Sequence, residues 1–214
     1  SPSGRLTDWN VPGNPDTSGN PLLLPESATG IELGFEQRLG EDGRQGKVSV
    51  TLLQRRIEQR IQYQLNLTNG RWIVAPVNAG GALVQGLELD GYWKLARTSV
   101  ALPLTLRASL GLYRSKLDDM EAPNGLPGQP PAVLNLGFDV NSSRWPLTWG
   151  GNFNMSPGYS ARISSVQTQE VFSQRTLDLY AQWQLDPRTR LRLTGTRLVS
   201  DDYGNVSDLM IDTY

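Results

Sequence analysis

Arg55, Arg56 and Arg60 form the densest cationic cluster in the chain, within the stretch RRIEQR. A guanidinium pairs bidentately with carboxylate or phosphate, so this cluster suits an anionic ligand. Glu58 lies inside it, and an internal ion pair would serve the same charges. Trp72, in NGRWIVAP, and Tyr159, in SPGYSAR, stand in long connecting stretches, where a ring either caps a ligand or packs its own loop. Asp118, Asp119 and Glu121 make an acidic run beside a Pro/Gly stretch. Oxygen-rich loops hold Ca²⁺, but this spacing is not that of an EF-hand. A solvated loop is the simpler reading, here and for Asp201 and Asp202. The chain contains no Cys and no His. The commonest general base and the commonest transition-metal ligand are therefore missing, and no pattern singles out a carboxylate pair. We expect no enzyme, no catalytic residue, no metal site and no cofactor.

The elements that must position these side chains are strands. NAGGALVQGLELDGYWKL alternates from Leu83 onward, with Leu83, Leu87, Leu89, Trp93 and Leu95 on one side and Glu88, Asp90, Tyr92 and Lys94 on the other. Strict alternation is the mark of a strand between two different neighbours. It recurs over Ile31–Phe35, Val48–Leu52, Val100–Leu112, Leu134–Val140, Leu147–Phe153, Leu177–Leu185 and Leu191–Leu193. This predicts an all-β chain, an antiparallel up-and-down meander of about eight strands. LLQRRIEQRIQYQL changes phase near Leu53. We read it as a strand with a β-bulge in preference to a short amphipathic helix.

Connections alternate in length. Turns at Gly40–Gln45, Arg97–Ser99, Asn141–Arg144 and Asp186–Thr189 are short, and the stretches between them, such as NLTNGRWIVAPVNAGG and DDMEAPNGLPGQPP, are long. Short turns on one rim and long loops on the other is the plan of an outer-membrane β-barrel. Composition agrees: 22 Gly and 14 Pro supply turns, and 38% hydrophobic residues is low for a packed globule. A net charge of −1 gives no bulk attraction to nucleic acid. Trp93, Trp145, Trp149 and Trp183 near strand ends suit interfacial girdles. Residues 1–27 read as an extracellular-type loop or linker, 28–199 as barrel strands and 200–214 as a loop-like tail.

Two motifs narrow this further. PESATGIELGF, with Pro25, Glu26, Glu32 and Gly34, resembles the strand start of TonB-dependent outer-membrane receptors. NAGGALVQGLEL, with Asn78, Gly80, Ala82, Gly86 and Glu88, resembles a later stretch of the same barrels, in the same order. The resemblance implies the C-terminal part of a barrel of about 22 strands closed by a plug. It also implies the bacterial outer membrane, a lipid bilayer around the wall, and a plug domain and TonB as partners elsewhere in the full protein. The implied cargo is a scarce small molecule. A siderophore–iron complex is the example we adopt, with haem, cobalamin, sugar and other metal chelates open. Arg55, Arg56, Arg60, Trp72 and Tyr159 are the candidate ligand contacts. Two rival readings are a soluble or surface β-sandwich binding module, for example for carbohydrate, and an outer-membrane enzyme barrel.

Overall fold

A computed structural model describes residues 10–95, 103–118, 125–142, 145–162, 167–199 and 205–209. Every regular element among them is a strand: β1 (Asp16–Thr17), β2 (Ser27–Leu39), β3 (Gly46–Glu58), β4 (Ile61–Thr68), β5 (Arg71–Asn78), β6 (Ala82–Leu95), β7 (Leu104–Leu117), β8 (Ala132–Asn141), β9 (Leu147–Ser156), β10 (Tyr159–Arg162), β11 (Gln167–Val171), β12 (Gln174–Gln184), β13 (Arg190–Gly195) and β14 (Asn205–Leu209). Eight of them form one antiparallel sheet in the order β13-β12-β9-β8-β7-β6-β3-β2. These are the eight strands that alternation marks out. Val100 and Leu102, at the start of one run, lie outside the described residues.

Each strand of this sheet has two unlike faces. Outward stand Leu33, Leu52, Leu87 and Leu112 in one row, and Trp93, Leu106, Phe138 and Leu179 in another. Inward stand Glu88, Asp90, Arg107, Asp139, Asn152, Asp178 and Gln182. Among the described residues no second sheet covers the outward face. On strands paired on both sides, Leu52 is 51% exposed, Leu106 40% and Leu136 43%. A sandwich would have buried these side chains against a partner sheet.

The outward apolar belt crosses the pairing rows obliquely. Leu33, in the middle of the β2 run, shares a row with Leu52, Leu87 and Leu112. The row of Leu179, in the β12 run, passes through Gly151, Phe138, Leu106, Trp93 and Gly46 to reach β2 at Leu39. The belt therefore slips six residues while crossing six strand spacings. At about 3.3 Å per residue and about 4.8 Å per strand, this is ~20 Å over ~29 Å, so the strands lean about 35° from the normal to the belt. A closed transmembrane barrel requires a lean of roughly 35–45°. On β6 the belt runs from Leu87 to Leu95. That is about 27 Å of strand and ~22 Å of height after the lean, close to the roughly 25 Å apolar band of such barrels.

The described short connections share one rim. Lys94 donates its backbone N–H to Gln45 (2.6 Å), Asn141 to Pro103 (3.0 Å) and Gln184 to Pro146 (2.8 Å), so each turn abuts the next strand's end. Arg97–Ser99, Ser143 and Arg144 lie outside the described residues. The long connections carry strands of their own. β4 and β5 form a hairpin with β1 added parallel to β5, and β10, β11 and β14 form a further three-stranded sheet. Part of the stretch read as a loop-like tail is thus strand β14.

The phase change near Leu53 is not a bulge. β3 stays in register with β6 through Ile57, and the chain then breaks at Gln59, whose φ is 54°, before β4 begins. Leu53 and Ile57 keep the inward parity of Ser49 and Thr51. What changes at this level is the polarity of the two faces, not the backbone.

Candidate functional site

The inward face of the eight-stranded sheet is a wall of polar side chains set by strand register. Arg107 on β7 and Asp139 on β8 form an ion pair, and the Tyr180 hydroxyl on β12 donates to the same carboxylate. Arg192 on β13 lies over the Tyr180 ring, 5.1 Å from its centroid. A guanidinium over a ring face is attracted by the ring's quadrupole. These groups line an open recess of about 520 Å³ with Thr105, Asn141, Thr148 and Gln182. Further along the wall the Tyr113 hydroxyl donates to Glu88 at 2.8 Å. The Tyr113 ring lies where a side chain at Gly111 or Gly86 would stand, within 2.9 Å of either virtual Cβ. Asn135 donates to Ser109 (3.3 Å) and Asn154 to Thr176 (3.1 Å). Among the described residues the wall thus offers donors and acceptors of both charges.

At the long-loop end both faces invert. The inward face turns apolar: Ile57, Ala82, Val84 and Leu117 are buried together, with Leu53 and Leu126 packed on them. Leu126 comes from the β7–β8 connection, which folds onto the wall and is fixed by its backbone N–H donating to Ser115 Oγ at 2.6 Å. The outward face turns polar, with Gln54, Gln85 and Arg114 in one row and Arg56, Leu83 and Lys116 in the next. A membrane would end where lipid gives way to water outside and loop packing begins inside.

The five candidate ligand contacts do not form one site. Arg55 is exposed on the inward face of β3, while Arg56 points outward and pairs with Asp118, Nη1 to Oδ1 at 3.1 Å. Arg60 is buried, 6% exposed, between β3 and β4, and its carbonyl accepts the Ala79 N–H at 2.7 Å. Trp72 is half-buried on β5, its carbonyl accepting the Asn10 side-chain amide at 2.8 Å. Tyr159 is half-buried at the start of β10, opposite Val171. Asp118 belongs to Arg56, and Asp119 and Glu121 lie outside the described residues.

Two motif residues act as a clasp, a role that alternation does not reveal. The Asn78 amide donates to the carbonyls of Leu24 and Gln59 (both 2.9 Å) and accepts from the Leu24 N–H (2.7 Å). Glu26 accepts from the Ile61 N–H at 3.1 Å. Together they tie the entry to β2, the β3–β4 break and the end of β5 at one point. The wall network of Arg107, Asp139, Tyr180 and Arg192 was also missed from sequence. Its only sequence signal is that charged residues fall at inward parity on neighbouring strands.

Comparison with known proteins accords with this architecture. Among solved structures the chain is similar to the "Copper transporter OprC" (TM-score 0.65, 15% identity), covering 85% of this chain and 27% of that one. It is also similar to the FrpB iron transporter from Neisseria meningitidis, F3-3 variant (TM-score 0.59, 14% identity), covering 92% of this chain and 32% of that one. The chain therefore spans about a third or less of these structures, which at such identity share the fold. No curated protein matches. A family model, "TonB dependent receptor-like, beta-barrel", matches residues 2–196. With that match over nearly its whole length, the chain belongs to the β-barrel family of the TonB-dependent receptors.

Proposed function

We propose that this chain is a sector of the barrel wall of an importer in the bacterial outer membrane. Its outward belt meets lipid and its inward wall lines the passage for a scarce ligand. The observation that carries this is the oblique apolar belt, about 35° from the perpendicular by the spacing of rows, on a sheet whose other face is polar. That combination suits a tilted barrel wall between lipid and water. The wall acts by binding and passage, without chemistry of its own. Energy comes through a plug domain and TonB, as in the family.

The cargo we favour is a metal held in a small chelator, such as a siderophore–iron complex. The two solved relatives are described as a copper and an iron transporter. The chain itself has no His or Cys to take a bare transition metal. It does present arginines, of which Arg55 is inward and exposed, and guanidinium suits the carboxylate or phosphate of a chelate. The test is intrinsic tryptophan fluorescence of the full receptor, reconstituted in liposomes, against a panel of ferric chelates and their metal-free forms. Saturable quenching by a ferric form alone is expected. Equal response to metal-free forms, or none at all, would remove the iron-chelate reading and leave the barrel reading intact.

A further inference from the structure

The two edges of the outward belt differ. At the turn-ward edge stand Trp93, Trp149 and Trp183, all outward and 40–51% exposed. Among the described strand positions, no outward cation stands at that edge. At the loop-ward edge the outward face is charged: Arg56, Arg114 and Lys116 stand there with Glu58 and Asp118. Arg114 and Lys116 are both exposed on β7, two residues apart and so on one face, about 7 Å from each other. Among the described residues neither has a carboxylate partner. Arg56, in the same row as Lys116, stands beside them in its pair with Asp118. Gln85 and Gln54, bonded to each other at 3.0 Å, continue the Arg114 row.

Directly below this patch lie Leu112, Leu110, Leu87 and Leu89, the apolar belt of β6 and β7. A molecule seated here meets cations and amides at one end and aliphatic side chains at the other. It is also outside the barrel, where a passing ligand does not travel. Arg binds phosphate bidentately, and a Lys two residues on adds a second charge. We propose that Arg114 and Lys116, flanked by Arg56, bind the phosphate of a lipid headgroup in the leaflet on the long-loop side. Its acyl chains lie along Leu112, Leu110, Leu87 and Leu89. This rests on the membrane reading above.

The test uses the full receptor, delipidated in mild detergent, incorporated in nanodiscs with a diphosphorylated glycolipid (lipid A), and examined for retained lipid by native mass spectrometry. Three proteins are compared: the parent, Arg114→Gln with Lys116→Gln, and Arg55→Gln, which removes a cation from the opposite face. The double variant should retain less lipid by on the order of tenfold or more, since each basic residue near a membrane surface contributes about fivefold. Arg55→Gln should retain it as the parent does. Dephosphorylated lipid A should not be retained, and inorganic pyrophosphate should not displace the lipid. Parent-like retention by the double variant overturns the proposal. So does equal loss in Arg55→Gln, equal retention of the dephosphorylated lipid, or displacement by pyrophosphate. A parent that fails to enter nanodiscs overturns the membrane reading itself, a distinguishable result.

Discussion

Tyr113 fills two vacancies with one ring. Gly111 and Gly86 leave the inward wall bare, and the ring lies across both while its hydroxyl caps Glu88. A side chain at 111 would meet the ring and hydroxyl at 2.7–2.9 Å, so it must push Tyr113 out. Gly111→Val should cost roughly 1–3 kcal/mol by overpacking and loss of the Glu88 bond, read by denaturant unfolding of the receptor. Gain of stability would show that strand propensity outweighs the packing. Asp139 holds both Arg107 and Tyr180 and is the less exposed partner. Asp139→Ala should cost about 1–2 kcal/mol, discounted because Arg107 stays half in solvent. Adding Tyr180→Phe in the same background should then cost almost nothing more. Outside the wall, Asp186 in the β12–β13 turn accepts from the N–H groups of Arg188 (2.7 Å) and Thr189 (2.8 Å). The hydrogen bond with the Thr189 side chain, then those from the backbone, hold its carboxyl below the ordinary carboxylate range. A depressed folded pKa means that the turn's contribution is present above the unfolded value, about 3.9, and is lost as pH falls through the folded one. An NMR titration placing the Asp186 midpoint at or above the unfolded value would contradict this. Alternation showed that Glu88, Asp178 and Gln182 face inward. It did not show Tyr113 reaching Glu88 or Tyr180 reaching Asp139, because those contacts depend on register, which turns and shear set.

The β4–β5 hairpin shows how an element can be visible in its parts and missed as a whole. Asn69 (φ 51°) and Gly70 (φ 75°) make the two left-handed positions of a type I′ turn, the favoured Asn-Gly link between twisted strands. That dipeptide stood in the sequence. The flanking QYQLNLT and RWIVAPV are nevertheless poor alternators, and periodicity alone predicts the end of one strand plus a long loop. The Leu53 phase change had the same origin. Alternation assumes that each face keeps one solvent along the strand, and at the loop end the two faces exchange solvents. The hairpin is fastened by Asn78, whose amide satisfies three backbone groups across two chain crossings. Asn78→Ala should cost about 1–3 kcal/mol and open the hairpin to protease between residues 60 and 80. Asn78→Asp keeps the acceptor for Leu24 N–H but turns a carboxylate oxygen towards the carbonyls of Leu24 and Gln59, so it should be cleaved at least as fast as Ala. Cleavage rates indistinguishable among the three would mean that Glu26 and the β-ladders alone hold the hairpin.

At the scale of the molecule the belt poses a physical choice. An apolar face this broad, with Leu52, Leu106 and Leu136 exposed on strands paired on both sides, must meet lipid or another protein surface. The oblique course of the belt favours lipid, because a flat bilayer imposes one level on strands that lean. A protein partner imposes such a slant only as a second sheet packed at an angle, and among the described residues no sheet covers this face. Leu89 sits well inside the belt, opposite Leu110 and Val50, and Glu88 sits beside it on the polar wall. In the full receptor Leu89→Arg should cost on the order of 2–4 kcal/mol if it lies near the bilayer midplane. Glu88→Gln should cost much less, since a watery passage solvates either side chain and Tyr113 can still donate. Burial against protein would also punish Leu89→Arg, so stability does not decide between lipid and protein. Accessibility does. A cysteine at 89 in the cysteine-free background of this chain should accept a lipid-soluble fluorophore and be quenched by quenchers carried on acyl chains. A cysteine at 88 should react with a water-soluble reagent and ignore those quenchers. The pair is adjacent in sequence, so depth and local fold are nearly matched and the face of the sheet is the variable. If position 89 escapes lipid-borne quenchers in a reconstituted receptor, its face meets protein, and the lean of the belt must then arise from a second sheet packed at an angle.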